Sequence, residues 1–511
     1  MFYTNFDNIN IAVSNNQQPL ANFEIQLFRH KRFSFIMWQY YQDKTIFLTG
    51  ATGSLGTAVL HRLMSKGDPR RVYVLCRGGY RNASAKWKGL LPESMANSLL
   101  QNPLITILAG DLMSTNMGLY ESDWKLLKES VNIVIHTASP INLRSSLTKL
   151  SSSVIEPSIF LARISLQMPG LQRFVFVSTA YANSHLWSLN RDSDVTVTES
   201  IYPLNTTHTP SKEQRAADYG MGAEEEWTSV QMTGTTNKYE AYDFPWPYTY
   251  AKHLTERLLL QLFAQSDATQ KLLIIRPSVF GPAIRYPFPN FSRPSSTPSA
   301  GIAASILMYP GRQFKFASRG PDPFKTATID EVPVDVVTDR LLAHLAYETT
   351  GCVHAVSGKK DRSSLFEDMW PALMKERRLP WKVKPVWISQ DWHSQNLHPT
   401  AQLFIVMGAS FDFTEEQTEK LAAKMTEQER SDLILFTDGR KATSIVERRH
   451  HIREMGLLIS RNTHFPSWVA KVLCRPGKRQ QDEFPLCEKP EDNGFHKGRR
   501  VDVTETEVHI R

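Results

Sequence analysis

The sequence predicts an α/β fold built on a doubly wound parallel sheet, and three observations carry that expectation. From residue 44 onward, short β-branched runs alternate with helical stretches. A glycine-rich turn joins the first of those runs to the first helix. Two long irregular stretches, residues 183–247 and 285–322, follow the carboxyl ends of expected strands, where sheets of this kind bind their ligands.

The elements are expected in the following order. Residues 1–36 are polar and aperiodic, end in the basic cluster Arg29-His30-Lys31-Arg32, and read as a flexible extension, with Met37 as an alternative start. Strands are expected at 45–49, 71–76, 105–108, 132–136, 173–178 and 272–276, with a helix at 54–65. These lie in one domain, residues 37–360, whose two inserts are the polar, turn-rich 183–247 and the proline-rich, aromatic 285–322. Residues 361–474 turn mainly helical, for example at 414–430 and 439–455. Residues 475–511 are charged, broken by Pro and Gly, and read as a disordered tail.

Composition narrows the class. The chain has 511 residues, 41% apolar and 22% charged, without low-complexity tracts, which is ordinary for a globular protein. Its net charge of +8 sits partly in short basic clusters such as Arg448-Arg449-His450-His451 and Lys497-Gly498-Arg499-Arg500, read here as solvated faces. No aromatic-and-basic module accompanies them, so nucleic acid is not an expected partner. Cys76, Cys352, Cys474 and Cys487 are scattered without metal-ligand spacing and are expected as reduced thiols. No apolar run approaches the ~20 residues of a spanning helix. A cytoplasmic protein, at most peripheral to an organelle membrane, is expected; oligomeric state is not encoded in any pattern.

Thr49-Gly50-Ala51-Thr52-Gly53-Ser54-Leu55-Gly56 follows an apolar strand and opens a helix. Glycines permit the tight turn and let backbone N–H groups approach a pyrophosphate at the helix N-terminus. That context marks a Rossmann-type dinucleotide site with Gly50, Thr52, Gly53, Ser54, Leu55 and Gly56 as cofactor-binding residues. The second strand ends in Val74-Leu75-Cys76-Arg77. An acidic residue there favours NAD, whereas Arg77 suits the 2′-phosphate of NADP, with Arg81 a second candidate. NADPH is therefore the expected cofactor. Asp111 and Leu112 follow the third strand and are placed to meet the adenine.

Tyr248 and Lys252 are four residues apart at the start of an expected helix, hence on one face. An ammonium beside a phenol stabilises tyrosinate and lowers its pKa from about 10 toward working pH. The phenol then exchanges a proton with a carbonyl or alcohol oxygen. Val177-Ser178-Thr179-Ala180-Tyr181 ends the fifth strand, where Thr179, or alternatively Ser178, holds the same oxygen. Past the sixth strand, the backbone at Pro277 and Ser278 is expected to face the nicotinamide carboxamide.

Together these residues resemble the extended short-chain dehydrogenases/reductases, and within them the fatty acyl-CoA reductase (male-sterility) group and the thioester reductase domains. The resemblance covers residues 38–360. It also rests on Ala109-Gly110-Asp111-Leu112, Ile135-His136-Thr137-Ala138, Arg276-Pro277-Ser278 and Val332-Pro333-Val334-Asp335. It departs at Ser54, where the group usually has Phe, and at Val154-Ile155-Glu156-Pro157-Ser158, where the group's Asn is missing and a proline is expected to break or kink the helix. The resemblance implies NADPH-dependent reduction of an acyl thioester, carried by CoA or a carrier protein, to an aldehyde and/or primary alcohol. Thr179, Tyr248 and Lys252 would be catalytic, with Lys252 also holding the nicotinamide ribose. Two alternatives remain open: an NADP-dependent oxidoreductase of free alcohols, aldehydes or ketones in specialised metabolism, and a non-catalytic cofactor-sensing scaffold.

Overall fold

Three apolar residues between two threonines, Thr45–Thr49, form the first strand of the sheet (β1) and are buried along their whole length. The computed structural model describes residues 36–474 except 144, 190–193, 203, 205–221, 294–295, 319–321, 390, 440–447 and 463–465. The remaining strands of the sheet are β2 (Arg71–Cys76), β3 (Ile105–Ala109), β4 (Ile133–His136), β5 (Arg173–Val177), β6 (Leu272–Pro277) and β7 (Gly351–Ala355). They lie side by side in the order β7-β6-β5-β4-β1-β2-β3 and every pair is parallel. The order reverses between β1 and β4, and a crevice opens at the carboxyl ends beside such a switch point.

Both faces of this sheet are covered, which is why its strands read as continuous apolar runs. Phe47, Val134, Phe174 and Phe176 face one core layer, while Ile46, Ile135, Val175 and Val177 alternate into the other. β7 is not among the strands expected from the sequence. The expected helix at 54–65 is α-helical over Ser54–Arg62 and continues as a π-turn over Leu63–Gly67. The helix expected to break near Pro157 runs on instead. A π-turn, Ser151–Ile155, leads into Glu156–Leu166, so Pro157 falls in a first turn, where its missing N–H disrupts least.

The C-terminal part differs from expectation in a way that matters for the site. It is mainly helical, but two of its segments are strands that complete the inserts. Lys384–Ser389 pairs with Gln313–Ala317, and Phe411–Phe413 with Val195–Val197. The single helix expected over 414–430 is two, Glu416–Lys424 and Glu427–Asp432, separated by a capping box on Thr426 and Glu429. Of the stretch expected at 439–455, residues 440–447 lie outside the description, and a helix runs over Arg449–Asn462. The basic run at 448–451 is only partly a solvated face: His450 is exposed, but two of its residues are buried. Arg448 is buried, donating to both oxygens of Glu331 at 2.9 Å, and His451 is buried against the Ser292 hydroxyl at 2.8 Å. A carboxylate in the core outweighs solvation of the guanidinium here.

The expected extension at 1–36 and tail at 475–511 fall outside the described residues, except that Ile36 begins a short helix whose Met37 and Trp38 are buried. Cys76, Cys352 and Cys474 are buried free thiols; Cys487 is outside the description. Among the described residues no helix is long and apolar enough to cross a membrane.

The long helix Pro247–Gln265 is tied down by buried charge. Arg257 grips Glu226 through two bonds of 2.8 Å, and Lys238 and the Tyr250 hydroxyl complete the carboxylate at 2.8 and 2.9 Å. Burial alone would raise the Glu226 carboxyl, but Arg257 and Lys238 hold it below the usual range. Replacing Glu226 with Ala strips a buried guanidinium of its counter-charge and should destabilise the protein by about 3–5 kcal/mol. Chemical denaturation would show this as a lowered midpoint, with Glu226→Gln losing less. A midpoint unchanged in Glu226→Ala would mean that this network does not anchor the helix.

Candidate active site

β1 ends in a turn that only glycine tolerates. Gly50 has φ +78°, and a Cβ there would fall 2.6 Å from Thr137 Oγ1 and 2.7 Å from the Ala138 nitrogen. A Cβ on Gly56 would lie 2.2 Å from the Gly50 carbonyl oxygen, so the helix packs directly on the turn. Gly53 N-caps that helix without any side-chain cap. Its first-turn N–H groups therefore present a positive end to the crevice, which fits a pyrophosphate. Thr52, Ser54 and Leu55 line the same turn; the Ser54 hydroxyl contacts the Ser296 hydroxyl at 2.9 Å and accepts from the Arg293 N–H. The serine that departs from the resembled group thus joins this turn to the 285–322 insert.

Arg77 stands exposed just past β2, with Arg81 exposed on the next helix. Asp111 and Leu112 are half-buried at the neighbouring end of β3, where the Gly110 N–H donates to the Cys76 carbonyl at 3.2 Å. The expected adenosine-side residues thus sit together at the ends of β2 and β3.

On the other side of the switch point, Pro247 starts the long helix and Tyr248 and Lys252 occupy its first turns, both buried. The Lys252 amine donates to the Val177 carbonyl at 2.9 Å and lies 4.6 Å from the Phe176 ring centre and 5.9 Å from that of Tyr248. The structure modifies the electrostatics expected from sequence. Burial pushes the Tyr248 phenol well above its ordinary value, opposed by the Ser139 hydroxyl, and burial lowers the Lys252 amine to about 7, opposed by Glu256. Desolvation of both groups outweighs the stabilisation of tyrosinate by ammonium. His136 at the end of β4 is held near 3 by burial, and so is neutral; its ring bonds Thr49 Oγ1 at 2.7 Å and Ser158 Oγ at 3.1 Å.

Of the two candidate hydroxyls, Thr179 is already engaged. It accepts from the Tyr181 N–H at 3.3 Å and donates weakly to the Pro277 carbonyl at 3.4 Å. Among the described residues, the buried Ser178 hydroxyl has no partner. Ser278 turns its hydroxyl to Asp330, which also accepts from the Ser357 N–H, so only the Ser278 backbone is left toward the crevice.

Three supports have no counterpart in the sequence expectations. Asp330 joins the loops after β6 and β7. Arg276 at the end of β6 grips Glu256 of the Tyr248 helix through two bonds, of 3.0 and 2.6 Å. Asp335 accepts backbone N–H groups from Ile284 and Arg285 at 2.9 and 2.7 Å and so folds the start of the proline-rich insert. Arg276 and Asp335 lie in motifs named above, which was the available signal; Asp330 depends on partners distant in sequence.

The chain is similar to known proteins in sequence and in fold. The profile of the family described as male sterility protein matches residues 48–341. Fatty acyl-CoA reductase 1 of Mus musculus is 28% identical over 324 residues, covering 60% of this chain and 56% of the mouse protein. Fatty acyl-CoA reductase 2 of Homo sapiens is 25% identical over 311 residues, covering 60% and 55%. The chain thus spans about half the length of these curated relatives. Among solved structures, the reductase domain of the aureusimine biosynthetic cluster superposes with a TM-score of 0.50 at 13% identity, over 83% of this chain and 97% of that one, a likeness of fold. The chain belongs to the male sterility protein family, whose domain binds a nicotinamide cofactor.

Proposed function

We propose that this protein is an NADPH-dependent reductase of acyl thioesters, carried on CoA or a carrier protein, yielding an aldehyde and/or a primary alcohol. The observation that carries this is the buried Tyr248–Lys252 pair across the switch point from an uncapped glycine turn, in a chain of the male sterility family. The relatives named fatty acyl-CoA reductases support the thioester, and Arg77, where an acidic residue would select NAD, supports NADPH.

Each residue has a task in this reading. The turn at Gly50, Thr52, Gly53, Ser54, Leu55 and Gly56 receives the pyrophosphate, Arg77 the 2′-phosphate, and Asp111 with Leu112 the adenine. Backbone at Pro277 and Ser278 meets the carboxamide, and Lys252 holds the nicotinamide ribose. When bound, the reduced nicotinamide supplies hydride. Thr179 turns its hydroxyl from the weak bond to the Pro277 carbonyl to the thioester oxygen as charge develops there, and Tyr248 gives that oxygen its proton. Collapse of the resulting hemithioacetal releases the thiol and the aldehyde. Trp246 and Tyr181, two residues from Tyr248 and Thr179, pack edge to face at 6.2 Å, and Phe411 and Phe413 back Tyr181 at 5.3 and 5.2 Å. That aromatic wall suits an acyl chain. Buried free thiols fit a cytoplasmic setting.

Purified protein should oxidise NADPH with long-chain acyl-CoAs and release free CoA with aldehyde or alcohol. Turnover of free aldehydes or ketones with every thioester left intact would transfer the protein to carbonyl or alcohol metabolism. Arg77→Asp should weaken NADPH binding roughly tenfold or more and NADH binding little, because a charge-assisted partner becomes a like charge. Equal loss for both cofactors in titration would show that Arg77 does not read the 2′-phosphate.

A further inference from the structure

Ser139 lies on the loop that leaves β4 at the switch point, and it is held there from both sides. Before it, Thr137 donates to the Thr49 carbonyl through its N–H at 3.3 Å and its hydroxyl at 2.7 Å, and Ala138 abuts Gly50 of the glycine turn. After it, Pro140 restricts Ser139 to extended backbone. The Ser139 hydroxyl oxygen is buried and makes no well-aligned hydrogen bond among the described residues, although it stands beside the Tyr248 phenol and acts to lower it. Buried hydroxyls are normally satisfied, and catalytic bonds often tighten only when substrate arrives.

A phenol that gives away its proton inside this site leaves a buried anion that needs a donor. The Lys252 amine gives one hydrogen to the Val177 carbonyl, and its others serve the nicotinamide ribose in the reading above. The other titratable groups nearby are Glu256, farther along the same helix, and His136 of β4, which is neutral. We propose that Ser139 is a positioning residue for the reduction, its hydroxyl donating to the Tyr248 oxygen as the phenolic proton passes to the substrate oxygen. The O–H bond of Tyr248 breaks, an O–H bond forms on the substrate, and Ser139 keeps its own proton. This rests on the reading of Tyr248 as proton donor given above.

The test compares the full-length protein with Ser139→Ala and Ser139→Thr, on an acyl-CoA and separately on a free aldehyde. Ser139→Ala removes only a hydroxyl that makes no well-aligned hydrogen bond and should fold with an unchanged melting temperature. Its kcat should fall roughly tenfold, with KM and NADPH affinity nearly unchanged. Losing a donor to the phenolate raises the phenol pKa, so the alkaline limb of the pH–rate profile should move to higher pH. Ser139→Thr, which restores the hydroxyl, should recover rate and profile. Wild-type kcat and pH profile in Ser139→Ala overturn the proposal, as does a Ser139→Thr variant equally impaired, which would mark a packing role. A wild type that reduces the aldehyde but no thioester overturns the acyl-thioester reading alone, and the comparison of variants on aldehyde still decides Ser139. A wild type that reduces neither overturns both.

Discussion

The bond from the Lys252 amine to the Val177 carbonyl joins the helix that carries Tyr248 to the carboxyl end of β5, and the geometry of the site hangs on that join. Arg276 and Glu256 make a second tie between the same helix and β6, and Arg257 with Glu226 a third to the first insert. All three bury charge, and buried charge is tolerated only where partners are placed accurately. The helix is thereby set in angle and register, so that Tyr248 is buried by the ends of β4 and β5 rather than turned to solvent. Functional side chains held on regular elements by such supports keep their position better than side chains on loops.

The site also carries costs that packing alone would avoid. Lys252 is buried with its amine lowered to about 7, and Ser139 and Ser178 hide hydroxyls that make no well-aligned hydrogen bond among the described residues. Groups of this kind lower stability and cluster where ligands complete them. The inserts meet these groups from above. Asp335 gathers the first residues of the proline-rich insert, Ser54 ties a later part of it to the glycine turn, and strands from beyond residue 380 finish both inserts. The C-terminal part is therefore woven into the walls of the crevice rather than appended to it.

How much of this was legible in the sequence follows from the range of the interactions involved. β1 and β2 begin and end where their apolar runs do, and the glycine turn sits where strand gives way to helix, because these features are local. The strand Phe411–Phe413 escaped notice because it is short and pairs with Val195–Val197 far along the chain, and β7 because Gly351, Cys352 and His354 interrupt its apolar run. Arg448 was misjudged for the same reason, since its carboxylate, Glu331, is 117 residues away. Pro157 was expected to break a helix, but a π-turn before it absorbed the misfit. Spacing brought Tyr248 and Lys252 to one helical face, yet it carried no information on burial, which reverses the expected direction of the phenol's shift. Ser139 shows no signal at all until the loop is seen against Tyr248.

The central claim is that Tyr248 supplies the proton at this crevice, and one substitution addresses it directly. Tyr248→Phe keeps the ring and its packing and removes only the hydroxyl. NADPH affinity, measured by fluorescence titration, should stay within about twofold of wild type while kcat on the preferred carbonyl substrate falls by roughly 10²-fold or more. Near wild-type turnover in Tyr248→Phe would contradict the account: the proton would reach the substrate by another route, and the buried pair on this helix would be part of the scaffold.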